Sequence, residues 1–382
     1  MKKISVLTGS RADYGLLRPL LRALKEHPSF ELDLIVTGMH LSRLFGYTVE
    51  EIELDGFHIN TKIKNEPDGK DKTNMAWSIG KAIIGIANYL ELSQPDLFLV
   101  LGDRAEVLAG VIAATYQNII VVHLCGGDSS WGGLDESARH AITKLSHIHF
   151  PTTCKSKERI LKLGEDEWRI FQVGLTGLDE LIHMDYLSEK EFENTFNIKL
   201  SSELILLIQH PITTEPNNAK KQITETLEAV KELGIQTVII YPNSDTGGKQ
   251  IITQIKKYES LSHIKSYPNI SRTRFLNLMK YASVLIGNSS SGMTEAASFH
   301  LPVVNIGSRQ IGRERGENVI DVDYDKNQII DAIKKALYDD EFKKMVRQSI
   351  NPYGDGKSVQ RIINILENLE LNVNWIKKKI TF

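Results

Sequence analysis

The side chains able to do chemistry sit where short apolar runs stop. Residues 97–101 are apolar and end in Gly102-Asp103-Arg104-Ala105-Glu106. Residues 119–122 are apolar and lead into His123-Leu124-Cys125-Gly126-Gly127-Asp128. A turn containing Trp131, Gly132 and Gly133 follows, then Asp135-Glu136-Ser137-Ala138-Arg139-His140. Asp103, Asp128, Asp135 and Glu136 therefore offer several carboxylates to one place, with Arg104 beside the first. Carboxyl groups whose proton affinities are pushed apart can divide acid and base work. A cation among them suits chemistry on a charged leaving group. Each acid also has a plainer reading: Asp103 can pair with Arg104, and Asp135 can cap the helix that Glu136 begins.

The second half supplies a complement. Gly287-Asn288-Ser289-Ser290-Ser291-Gly292 follows an apolar run and leads into Met293-Thr294-Glu295-Ala296-Ala297. Hydroxyls and unpaired N–H groups at a helix start bind anions. One Ser suffices for an ordinary cap, so three between two glycines point to phosphate. Glu295, one turn in, suits a ribose diol or a capping box. His210 ends the run 204–208; it can bond a phosphate or sugar oxygen, act as an acid, or be structural. Arg309 follows Gly307-Ser308 at the end of a further run. Near the amino terminus, Thr8-Gly9-Ser10-Arg11-Ala12-Asp13-Tyr14-Gly15 puts Arg11 in a strand-to-helix turn. There it contacts a phosphate or base, or caps its own loop. This turn lacks the Gly-x-Gly-x-x-Gly spacing, so NAD is not implied.

The elements that must position these residues are short unalternating strands separated by helix-length segments. Such runs read as buried parallel strands, and ligands sit beyond their carboxyl ends. Residues 4–7, 32–36, 97–101, 119–122, 148–150 and 169–174 form the first set. Residues 204–208, 238–241, 284–286 and 303–304 form the second, with no sequence-level repeat between the halves. This predicts an α/β chain of two Rossmann-like, doubly wound domains. The boundaries expected are 1–175, 176–357, and a helical segment 358–382 that crosses back to the first domain. Residues 62–72, charged and holding Pro67 and Gly69, read as a surface loop. Residues 181–200 read as irregular.

A chain of 382 residues exceeds one ordinary core. A formal net charge of −2 gives no electrostatic case for nucleic acid. Two cysteines, Cys125 and Cys154, cannot build a disulfide framework, which fits a reducing compartment. No apolar run approaches the roughly 18 residues of a membrane span. The start, Met1-Lys2-Lys3-Ile4, enters a strand pattern without signal-peptide features. A cytoplasmic enzyme without metal or cofactor is the expected class.

Taken together, the motifs resemble the hydrolysing UDP-N-acetylglucosamine 2-epimerases of sialic acid biosynthesis. The likeness rests on 9–15, 102–104, 126–128, 135–144, 287–292 and Arg309-Gln310-Ile311-Gly312-Arg313, in order along nearly the whole chain. It implies a glycosyltransferase-B-type fold with the two domains facing across a cleft. It implies conversion of UDP-N-acetylglucosamine and water to N-acetylmannosamine and UDP, in a homo-oligomer, dimer or tetramer. Carried over by position, Asp103, Asp128 and Asp135 match acidic catalytic positions, and Glu136 an acidic neighbour. Arg11, Ala12, Asp13, Arg104, His210, Asn243, Ile270, Ser289, Ser290, Glu295 and Arg309 match UDP-pocket positions, His210 also serving as a candidate acid. Two departures stand out: Asp128 where relatives usually carry Glu, and Cys125 where they often have His or Glu.

The implied chemistry is physically coherent. C2 of a pyranosyl nucleotide has no adjacent carbonyl, so its proton is not acidic. Inversion there needs oxidation or loss of the C1 substituent, and the missing dinucleotide fingerprint favours loss. A carboxylate takes the C2 proton as UDP leaves, giving a 2-acetamidoglucal that water then hydrates. The nearest alternative is the same reaction on a UDP- or GDP-linked 2,4-diacetamido-2,4,6-trideoxyhexose of the legionaminic acid route. Others are the non-hydrolysing epimerase, a glycosyltransferase with a separate acceptor, and a non-catalytic nucleotide-sugar sensor.

Overall fold

The computed structural model describes residues 1–43, 46–65, 73–129, 134–212, 215–242 and 247–381; the side chains of Thr73, Asn74, Leu134, Asp135, His183 and Pro216 lie outside the description. The chain divides into two compact units, 1–182 with 353–382, and 183–352.

The first unit is built on a sheet of β1 (Lys2–Thr8), β2 (Phe30–Thr37), β3 (Thr61–Ile63), β4 (Leu97–Leu101), β5 (Ile120–Leu124) and β6 (Ile148–Phe150). Their spatial order is β3-β2-β1-β4-β5-β6, and the pairings are all parallel. β4 and β5 are buried along their whole length, which is why they read as continuous apolar runs. The order reverses between β1 and β4, so the turns after these strands open into the natural ligand crevice.

The second unit holds β7 (Leu204–Ile208), β8 (Gln236–Ile240), β9 (Ile264–Tyr267), β10 (Val284–Gly287), β11 (Val303–Ile306) and β12 (Val319–Val322). The order β12-β11-β10-β7-β8-β9, all parallel, repeats the first unit's winding. Its switch point lies between β7 and β10.

Several expectations are corrected. Residues 61–63 are not loop but the edge strand β3, paired to Ile35, Val36 and Thr37; residues 66–72 of that expected loop lie outside the described residues. Residues 169–174 form no strand; a 3-10 turn, Glu167–Arg169, ends there, and a single bridge joins His149 to Ile170. Within 181–200 lies the helix Glu189–Phe196, started by a Ser188–Glu191 capping box. β9 and β12 are additional; their partly exposed residues lack the apolar run that marks the central strands.

The boundary near 175 also moves, to 182. The turn Thr176–Leu178 belongs to the first unit, because Thr176 Oγ1 donates to Leu16 O at 2.6 Å and Arg18 pairs with Glu180. The return lies at 353 rather than 358. Leu175 N donates to Tyr353 O at 2.7 Å. The helix Ser358–Asn368 is capped from outside by Asp179, which accepts from Ser358 N (3.0 Å) and Val359 N (2.7 Å). It buries Ile362, Ile363 and Leu366. No described helix is long and apolar enough to cross a membrane.

Candidate active site

In the first unit the acids are gathered by an arginine. The helix Leu134–Leu145 starts after the β5 turn and carries Glu136 and Arg139 one turn apart on one face. Arg139, 4 % exposed, pairs with Asp103 after β4 and with Glu136. Its Nη1 also donates to Asp128 O at 2.8 Å. Burial opposes the guanidinium charge, but Asp103, Glu136 and Asp128 outweigh it and push its pKa up. Three of the expected acids are thus brought together. Asp103 pairs with Arg139 rather than with Arg104, which lies 3.8 Å from Glu106. The backbone of Asp135 opens the same helix; its side chain lies outside the described residues.

Asp128 is fixed on its other side. Its Oδ1 accepts from Thr152 Oγ1 at 2.8 Å and Ser156 Oγ at 2.6 Å. The preceding turn is sharp: Cys125 and Gly127 both have positive φ. A Cβ on Gly127 would meet Ser156 O at 2.2 Å, so only glycine fits. Below lies His123, fully buried, with Nε2 2.9 Å from Gly102 O. Burial lowers its pKa to about 3, so this ring is neutral and structural.

The β1 turn presents Arg11 and Ala12 at the exposed start of the helix Arg11–Glu26. Arg11 reaches Glu51 at 3.3 Å. Asp13 turns inward, accepting from Thr8 Oγ1 (2.7 Å), Gly9 N (2.9 Å) and Ser10 Oγ. It shapes the turn that carries Arg11. Glu106, in the same corner, packs its side chain against Gly9 and Gly38. Burial raises its pKa despite its own backbone N–H and Arg104. Arg104 Nη2 makes a weak contact to Met39 Sδ at 3.1 Å.

In the second unit Asn288 is the organiser. Its Oδ1 accepts from His210 N at 2.6 Å and its Nδ2 donates to His210 O at 2.9 Å, clamping the β7 turn to the β10 turn. Its carbonyl accepts from Arg309 Nη1 at 3.1 Å and Gln310 Nε2 at 2.8 Å. His210, Ser289, Ser290 and Arg309 are thereby assembled around one turn. Gly287 has φ +117° and lies so close to Ile208 O that a Cβ would sit 2.1 Å away. Ser290 makes no side-chain capping bond at the start of the short helix Ser291–Thr294, while Ser289 Oγ accepts from Ser291 N at 3.3 Å, so one of the three hydroxyls does serve as a plain cap. Glu295 is no capping box; it is 6 % exposed and pairs with Arg272. Ile270 is buried in the apolar cluster with Leu278 and Met293. Asn243 lies outside the described residues.

Arg139 and Asn288 carry the two assemblies, and neither stood out as a site residue in the sequence. The signal for Arg139 was its i,i+3 spacing from Glu136. Asn288 had only its place directly after a strand-ending glycine.

Doubly wound units with polar turns at both switch points define the class: an α/β protein of the glycosyltransferase-B type. Solved structures share this fold, including UDP-GlcNAc 2-epimerase from Neisseria meningitidis bound to UDP-GlcNAc, with a TM-score of 0.82 over 96 % of this chain and 99 % of that one at 22 % identity. The chain belongs to the UDP-N-acetylglucosamine 2-epimerase family, whose model matches residues 22–367. It is 41 % identical over 99 % of both chains to UDP-N,N'-diacetylbacillosamine 2-epimerase (hydrolyzing) of Legionella pneumophila. It is 33 % identical to UDP-N-acetylglucosamine 2-epimerase of Neisseria meningitidis, over 100 % of this chain and 99 % of that one.

Proposed function

We propose that the protein is a hydrolysing 2-epimerase of a UDP-linked 2-acetamido sugar. The observation that carries the reading is the acid cluster, Asp103, Asp128 and Glu136 tied to Arg139 at the ends of β4 and β5. The second unit's Ser289–Ser290 turn and Arg309 receive the diphosphate, with the ribose near Glu295 and the base near Ile270 and Asn243. Arg11 and Arg104 add positive charge at the first unit's switch point, Asp13 and Ala12 forming the turn of Arg11.

The C1–O bond breaks with its electrons passing to the β-phosphate oxygen. Ser290, Arg309 and His210 stabilise the charge that develops there. A first-unit carboxylate takes the C2 proton, leaving the C1=C2 double bond of a 2-acetamidoglucal. The oxygen of water then bonds to C1 and a proton returns to C2 on the other face. The sum is UDP-sugar plus water giving the free 2-epimer plus UDP. Asp103 and Asp135 are the first candidates for this proton traffic. Asp128 and Glu136 set the charge around them.

For the sugar, the higher full-length identity to the diacetylbacillosamine enzyme supports a 2,4-diacetamido-2,4,6-trideoxyhexose. Asp128, a methylene shorter than the Glu usual in relatives and held by Thr152 and Ser156, is a difference at an acidic position that a different substituent on the sugar would match. The second reading is UDP-N-acetylglucosamine, favoured by the Neisseria relative and by the motif resemblance. Incubation with each nucleotide sugar, without acceptor or NAD, distinguishes them. Release of UDP with a free 2-epimer from the diacetamido substrate, at the higher kcat/KM, is the expected result. A UDP-linked epimer as product would assign the non-hydrolysing reaction. Turnover only with an added acceptor would assign a transferase.

A further inference from the structure

The carboxy-terminal strand of chain beyond the helix Ser358–Asn368 has no role in the chemistry above, yet it is held by an unusual set of buried charges. Arg169, 1 % exposed, donates from Nη1 to Trp375 O (2.7 Å) and His147 O (3.2 Å). Its Nη2 donates to Asn374 O (2.9 Å) and Lys377 O (2.9 Å). Trp375 is buried and its ring lies 4.6 Å from that of Trp168. A buried guanidinium spent on four backbone carbonyls fixes this segment rather than letting it fray.

What that fixation delivers is one ammonium. Lys378 Nζ donates to Ser146 O (2.5 Å) and Lys144 O (2.7 Å), with Thr143 O at 3.5 Å. These carbonyls close the end of the helix Leu134–Leu145, where Thr143 O also accepts from Ser146 N at 3.2 Å and a cation complements the helix dipole. Lys378 pairs with buried Glu165 at 2.8 Å, which Lys144 and His149 also hold at 2.6 and 3.1 Å. The same helix carries Asp135, Glu136 and Arg139 in its first turns, about 18 Å away at most along a 12-residue helix.

We propose that Lys378 is a positioning residue, clasping the carboxyl end of this helix so that its first turn holds the acids in register. The inference rests on the proposed chemistry for its effect on rate. It acts through the helix and touches no substrate. Groups facing the Lys378 ammonium are Glu165, Lys144, His149, His147, His123 and Arg169. Burial lowers its pKa to about 8 even though Glu165 raises it. The clasp therefore weakens as pH rises through that value.

The test compares K378M and K378R with the wild type on UDP-N-acetylglucosamine or UDP-N,N'-diacetylbacillosamine, whichever the wild type hydrolyses. Small misplacement of acting groups costs up to about a hundredfold in rate, so K378M should lose about tenfold or more in kcat with KM within about twofold. K378R should restore most of kcat and keep it above pH 8, where the wild type declines. Hydrogen exchange of amides 136–146 should quicken in K378M and not in K378R. Unchanged kcat and exchange in a folded K378M, or superimposable pH profiles for wild type and K378R, would overturn the inference. If K378M does not melt cooperatively, K378Q takes its place under the same criteria. Absence of wild-type hydrolysis would refute the proposed function while the exchange measurement still decides the clasp.

Discussion

At the scale of single residues, the decisive feature is that one buried arginine binds three acids. Asp103 is about one quarter exposed on its side chain, while Arg139 is nearly enclosed. Asp103→Asn keeps an acceptor for Arg139, and Glu136 and Asp128 O remain, so the stability loss should stay near or below about 2 kcal/mol. Turnover should fall by orders of magnitude, with UDP affinity little changed by calorimetry. Near-wild-type turnover would remove Asp103 from the chemistry. The buried histidines make a separate forecast. Burial lowers the pKa of His123 to about 3 and of His147 to about 4, both below the unfolded value near 6.5. Between those limits the unfolded chain binds protons that the folded one refuses, so stability falls as pH falls below about 6.5. At pH 5 each ring should have removed about 2 kcal/mol relative to neutral pH. Chemical denaturation at pH 7 and pH 5 reads this out; equal midpoints would contradict it.

At the scale of elements, the central strands were legible, and of the edge strands only the fully buried β6 was. β4, β7 and β10 are apolar throughout, and β5 is apolar but for the buried His123, because both faces are covered. β3 and β12 are short, with polar residues, and periodicity carries little signal there. The glycine turns were legible too, since Gly127 and Gly287 sit where a Cβ cannot. What sequence could not show is which neighbour each side chain chooses. Arg104 is adjacent to Asp103 in sequence, but the fold brings Arg139 to it from 36 residues away. Glu295 has the spacing of a capping acid, yet Arg272 claims it. The β10 turn carries the element-scale prediction. Ser290→Ala with Arg309→Ala should weaken UDP binding at least tenfold while leaving the melting temperature near wild type. Unchanged affinity by calorimetry would move the diphosphate elsewhere.

At the scale of the whole molecule, two units with the same strand order arise from halves that share no visible repeat. Burial of a parallel sheet under helices constrains the apolar pattern, and many sequences satisfy it. The chemistry divides along the same line: carboxylates collect on the first unit's turns, hydroxyls and Arg309 on the second's. Elimination followed by hydration requires that the C2 proton be given up and replaced from solvent. The measurement that tests this is hydrolysis of the accepted UDP-sugar in deuterated water, with the free sugar read by NMR. One deuteron at C2 of the inverted product, accompanied by stoichiometric UDP, is the predicted result. An inverted product still carrying its original C2 hydrogen would contradict it.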